Sequence, residues 1–210
     1  MSYKALIVDF GGVLTTPLQD AMVAFAEEQG IALEDFVRIA LAAYAGEEDG
    51  LVVAFETGAI SEDQFSREFA QRLSGVTGGA VDPEGLVARI FRGMRLEEGM
   101  IEAVAKAREH GLKTGMLSNS WGLGLYPREL LAEVFDTIVI SAEVGLRKPD
   151  PEIFRLTTTR LGVAPRECVF VDDHPGHLKA AVDEGMATVL HRTPADTIAE
   201  LESLLGVPLT

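Results

Sequence analysis

Apolar residues in this chain fall into two textures. Five short runs are continuous rather than alternating: KALIVD at 4–9, LKTGMLS at 112–118, DTIVI at 136–140, ECVFVD at 167–172 and ATVL at 187–190. Uninterrupted apolar runs of this length predict strands covered on both faces. Between the later runs, apolar positions recur at helical spacing and predict helices over 100–110, 127–134, 151–161, 175–184 and 195–205. Gly111, Gly162 and Gly185 supply stop signals. Strands alternating with helices predict an α/β fold, a doubly wound parallel, Rossmann-like sheet with helices on both sides.

The segment from Leu18 to about Phe91 reads differently. It carries no convincing strand, and apolar residues recur helically at Met22, Phe25 and Ala26, at Phe36, Val37, Ile39 and Ala40, and at Phe65, Phe69 and Leu73. About four helices are expected, separated by glycine turns at Gly46, Gly58 and 75–79. Ser61 and Gln64 read as a capping box, and Pro83 as a first helical residue after Asp82. The expected organisation is a core of residues 1–16 and 94–210 split by an all-helical subdomain at 17–93. Its phenylalanines (Phe25, Phe36, Phe55, Phe65, Phe69 and Phe91) are read as that subdomain's own core.

With 210 residues and 47% hydrophobic content, the chain can bury such a core plus an insertion. The 33 acidic residues against 18 Lys and Arg give a formal charge of −15, which argues against nucleic-acid or anionic-membrane partners. An anionic substrate would then need a local cation to enter. The single cysteine, Cys168, lies inside an apolar run and reads as a core residue. No apolar stretch has the length of a membrane span or the form of a signal peptide, so a cytoplasmic location is expected.

Chemistry collects where the apolar runs end. Asp9 closes the first and is followed by Gly11 and Gly12, whose bare backbone permits close approach of a phosphate or cation. Ser118 and Asn119 close the second, where a hydroxyl and free N–H groups can bind a phosphate oxygen. Lys148 stands in RKPDP, with Pro149 and Pro151 restricting the loop that aims it, and it is suited to stabilising negative charge. Asp172 and Asp173 form an acid pair that needs a compensating cation if both are ionised, and hard oxygen ligands select Mg²⁺. His174 and His177, without thiolates nearby in sequence, read as loop residues rather than zinc ligands. Trp121, just after Ser118-Asn119-Ser120, is a candidate substrate contact.

In wording and order, DFGGVL, LSNS, RKPD and FVDDHPGHLKAA resemble the motifs of the haloacid dehalogenase-like hydrolase superfamily. The inserted helices are similar to its first cap class, and the motifs are similar to the phosphatase-like branch that includes the N-terminal half of bifunctional epoxide hydrolases. The resemblance implies a hydrolase, with Asp9 as nucleophile forming an aspartyl-phosphate and Ser118 binding the phosphoryl group beside Asn119 and Gly12. Lys148 would neutralise charge, and an Mg²⁺ site would be built from Asp9, the Gly11 carbonyl and Asp173 with Asp172 near. The implied substrate is a small phosphorylated metabolite, handled by a monomer or homodimer. The chain departs from the pattern at Gly11, where an acid is usual; Thr15, Thr16 and His174 are candidate substitutes. Two alternatives stay open: a haloacid dehalogenase-type hydrolase, and an inactive phosphate-binding protein on the same fold.

Overall fold

A computed structural model of the chain describes residues 3–45, 50–77 and 79–210. Its five strands are β1 (Ala5–Val8), β2 (Lys113–Ser118), β3 (Thr137–Ile140), β4 (Cys168–Asp172) and β5 (Ala187–Leu190). They form one parallel sheet in the order β3-β2-β1-β4-β5. Each lies within a run expected from sequence, because a strand buried on both faces has no polar side to blur its pattern. Strand order reverses between β1 and β4, so the crevice beyond their carboxyl ends is the place where such sheets bind ligands. Val8 pairs in register with Met116 of β2 and Val171 of β4. Asp9 and Asp172 therefore emerge level with one another at that crevice.

The helices are α1 (Leu18–Glu28), α2 (Leu33–Ala45), α3 (Leu51–Glu56), α4 (Glu62–Thr77), α5 (Leu86–Ile90), α6 (Glu98–Glu109), α7 (Arg128–Val134), α8 (Ser141–Val144), α9 (Pro151–Leu161), α10 (Pro175–Asp183) and α11 (Pro194–Leu205). Alternate residues of β1 face opposite layers. Leu6 and Val8 pack with Met100 and Val104 of α6, Leu131 of α7 and Leu201 of α11. Ala5 and Ile7 pack with Ile153 and Phe154 of α9 and Ala181 of α10. The sheet is thus covered on both faces, and its core is doubly wound α/β.

Helices α1 to α5 share a hydrophobic cluster of their own, built around Phe25, Phe36, Phe55, Phe65, Phe69 and Phe91. Phe65 stacks on both Phe55 and Phe69, at ring-centroid distances of 4.3 and 5.2 Å. Here the structure corrects several local expectations. Five helices rather than four are present among the described residues of this segment. Pro83 lies in a turn, not at a helix start: Leu86 N–H donates to the Pro83 carbonyl, and Gly85 at φ +59° precedes α5. Ser61 does cap α4 by accepting from Gln64 N–H at 3.2 Å, but the Gln64 amide reaches forward to Glu68, leaving the capping box half made. Gly75 is helical, since α4 runs on to Thr77. Gly58, at φ +71°, is the turn expected after α3; Gly46 and Gly78 lie outside the described residues. Among the described residues, no helix is long and apolar enough to cross a membrane.

Candidate active site

Lys148 organises the crevice. Its side chain is fully buried, and its Nζ lies 2.9 Å from Asp9 Oδ1 and 2.7 Å from Asp172 Oδ2. The ring of Phe170 sits 5.5 Å beneath the ammonium. Burial by itself would strip the proton from Lys148, but Asp172 and Asp9 hold its pKa well above the ordinary value. The loop that carries it is clamped by Asn119. The Asn119 carboxamide accepts from Lys148 N–H at 2.8 Å and donates to the Lys148 carbonyl at 3.0 Å. Asn119 thus spends its amide on positioning the lysine, a role the sequence did not reveal. The Lys148–Pro149 peptide is cis.

The two acids at the end of β4 make different contacts. Asp172 is fully buried, and both its oxygens are occupied. Besides Lys148, they accept from His174 N–H at 2.8 Å and face His177 Nδ1 at 3.1 and 3.2 Å. Burial opposes charge on Asp172, yet Lys148 and the His177 ring hold its carboxyl well below the usual carboxylate range. Burial also lowers the pKa of His177, which is the state of a neutral ring donating to Asp172. Asp173 is exposed, and its carboxylate occupies the space a Cβ on Gly12 would need. Gly12 at φ +74° keeps that space open. Its N–H is committed to Thr15 Oγ1 at 3.0 Å.

Asp9 lies between these groups. Burial pushes its carboxyl up to about 8, with repulsion from Asp172 and Asp173 adding to the effect and Lys148 opposing it. Ligand atoms of Asp9, Asp172 and His177 fall within 4.8 Å of one another. Together with Asp173 and the backbone at Gly11, the crevice offers three carboxylates against one ammonium. That donor set, rich in hard oxygens and short of positive charge, fits a divalent cation of the Mg²⁺ type.

Beside Asp9 a narrow pocket is floored by Ser118 and Asn119 and walled by Phe10, Leu18, Trp121 and Tyr126. Ser118 is buried, and its hydroxyl lies 2.9 Å from the Tyr126 hydroxyl. Tyr126 packs on Phe10 at 4.7 Å, and burial raises its pKa to about 12. Sequence reasoning missed Tyr126; an aromatic before Pro127 in a loop carries no spacing signal. Trp121 does reach the pocket, and its other contacts are edge-on packing with Phe91 and Phe65, at 5.7 and 6.4 Å. It also walls an apolar cleft formed with Met22, Val23 and Phe36 of α1 and α2.

None of the three substitutes considered for the acid absent at Gly11 lines the pocket beside Asp9. Thr15 accepts from Gly12 and donates to the Thr16 carbonyl, Thr16 accepts from Arg95 N–H, and His174 Nδ1 accepts from Gly176 N–H. The helical segment is tied to the crevice by a second buried group. Glu56 at the end of α3 lies 2.7 Å from Arg147 Nε, next to Lys148, and Ser141 Oγ donates to the Glu56 carbonyl. Burial pushes the Glu56 carboxyl up to about 7, against the attraction of Arg147. Gly58 is pressed against the Ala142 carbonyl of α8.

An acid just beyond β1 at a switch point, a buried lysine bridging it to the acid that ends β4, and a serine that ends β2 are the arrangement expected of a hydrolase of the haloacid dehalogenase type. The family model for haloacid dehalogenase-like hydrolases matches residues 3–185, and the chain belongs to that family. It is 32% identical to bifunctional epoxide hydrolase 2 of Sus scrofa over all of this chain, which spans 40% of that relative's length. It is 31% identical to the phosphatase MT3486 of Mycobacterium tuberculosis, with 90% of this chain and 88% of the relative covered. The fold also matches a haloacid dehalogenase family enzyme from Bacteroides thetaiotaomicron solved with magnesium and inorganic phosphate. There the TM-score is 0.66 at 24% identity, covering 91% of this chain and 95% of that one.

Proposed function

We propose that this hydrolase is an Mg²⁺-dependent phosphomonoesterase acting on a small organic phosphate through an aspartyl-phosphate on Asp9. The observation that carries the reading is the buried Asp9–Lys148–Asp172 array, whose ammonium sits 2.9 and 2.7 Å from the two carboxylates. In this array Asp9 Oδ1 is pinned by Lys148 and by Phe10 N–H, which leaves Oδ2 as the oxygen for in-line attack on phosphorus. Ser118, beside the pocket, binds a phosphoryl oxygen, and Lys148 offsets charge as it builds on Asp9 and the transferring group. Asp173 and Asp9, with the Gly11 carbonyl, would hold the Mg²⁺, which when bound supplies charge neutralisation at the phosphoryl oxygens. Asp172, already saturated by Lys148, His177 and His174 N–H, keeps the lysine in place. Residues 17–93 act as a cap that selects the substrate, with Trp121 at its contact with the pocket. Phosphatase and magnesium-bound relatives support this reading by similarity.

The test is phosphate release from an aryl phosphate in the presence of Mg²⁺, wild type beside Asp9→Asn. Release by wild type with loss in the variant is expected; equal, background-level release from both refutes the reading.

A further inference from the structure

Gly11 leaves more than a missing side chain. A Cβ built on it would point at the Leu18 side chain, 2.9 Å from Cδ1 and 3.3 Å from Cγ, so an isobutyl group fills the direction an acid would take. The rest of the wall on that side is apolar, from Phe10, Met94, Trp121 and Leu125. Thr15, Thr16 and His174 do not line the pocket, and the Thr15 hydroxyl gives its proton to the Thr16 carbonyl. Glu62, a carboxylate of α4, is exposed and rests against Gly122 without lining the pocket. Among the described residues, the hydroxyls lining the pocket are those of Ser118 and Tyr126, and these are bonded to each other.

We propose, building on the phosphatase reading, that the site is specialised for phosphoryl compounds whose leaving oxygen departs without a proton: acyl phosphates, aryl and enol phosphates, and phosphoanhydrides. In the first step an Asp9 oxygen bonds to phosphorus while the bond from phosphorus to the leaving oxygen breaks. The electron pair leaves with that oxygen, as a carboxylate, phenolate, enolate or phosphate anion. Water then adds its oxygen to the phosphorus of the aspartyl-phosphate, freeing Asp9, and its protons pass to phosphate and solvent. An ordinary alkyl ester fails at the first step because its alkoxide needs an acid that the Leu18 wall does not provide. A loose phosphoryl-transfer transition state places much negative charge on the leaving oxygen, so the rate tracks that oxygen's basicity.

The experiment is a leaving-group series on the wild-type enzyme with Mg²⁺: nitrophenyl, phenyl and alkyl phosphates, read as kcat/KM so that only steps up to leaving-group departure count. We expect a fall of about 10²-fold or more from nitrophenyl to phenyl, and a further fall to alkyl, the scale of an absent general acid. Rates within about tenfold across the series would overturn the proposal and leave the phosphatase reading intact. The same series on Tyr126→Phe guards against a hidden acid. A loss that grows with leaving-group basicity identifies Tyr126 as the proton donor and also overturns the proposal. A uniform loss supports it. Absence of phosphate release from every ester removes the phosphatase reading, and this inference with it.

Discussion

Replacing Glu56 by Gln removes a charge at the junction between α3 and the catalytic loop while keeping the side chain's shape. Glu56 is 2% exposed, and its carboxyl is raised from 4.5 to about 7 because burial outweighs the attraction of Arg147 at 2.7 Å. The folded state therefore holds the proton more tightly than the unfolded chain between those two values, and stability contributed by Glu56 falls as pH rises through that window. At about 1.36 kcal/mol per pH unit, the displacement amounts to about 3 kcal/mol lost by pH 8. For a chain of this size that is about 6–12 °C in Tm. Wild type and Glu56→Gln unfolded by urea or heat at intervals from pH 4.5 to 8 give a difference curve that cancels every other titrating group. The variant should gain on wild type by about 3 kcal/mol across the window. A flat difference, or a wild type that gains on the variant as pH rises, refutes the reasoning; the second result would mean that the ion pair with Arg147 wins over burial.

Lys148→Met leaves Asp9 and Asp172 buried without their shared cation. The expected cost is about 3–5 kcal/mol in urea unfolding at neutral pH, together with loss of phosphate release. If Asp173 holds the metal while Asp172 holds the lysine, Mg²⁺ at about a hundredfold above its Kd should stabilise wild type by about 2.7 kcal/mol in thermal unfolding. Asp173→Ala should fold normally, since the carboxylate is exposed, and lose that gain; a stabilisation equal to wild type would place the metal elsewhere.

The strands were legible because a doubly covered sheet demands continuous apolar runs, and helix ends at Gly111 and Gly162 were legible because their backbone adopts positive φ. The short helix α8 escaped because four residues are too few to show a period. Pro83 and Gln64 misled for a related reason: each obeys a local rule that a neighbouring group overrode, Gly85 in one case and Glu68 in the other. In the site, residues with distinctive chemistry at strand ends (Asp9, Ser118 and the acid pair) or in a proline-flanked loop (Lys148) stood out. Residues whose part depends on what they touch did not. That the Asn119 amide bonds both backbone groups of Lys148 could not be read from its place in the sequence, and Tyr126 gave no signal at all.

Sequence alone determined which groups are available and along which edge of the sheet they lie, because hydrophobic periodicity dictates strands and parallel topology brings their carboxyl ends together. It also determined that Gly11 carries no acid. Only the tertiary structure decided how the groups divide their work. Packing puts Asp172 out of reach of solvent among three donors and leaves Asp173 exposed over Gly12. It sends Leu18 into the direction the missing acid would have taken, and it buries Glu56 where its charge is costly. Those outcomes depend on distances and desolvation between residues far apart in the chain, which a linear pattern does not encode.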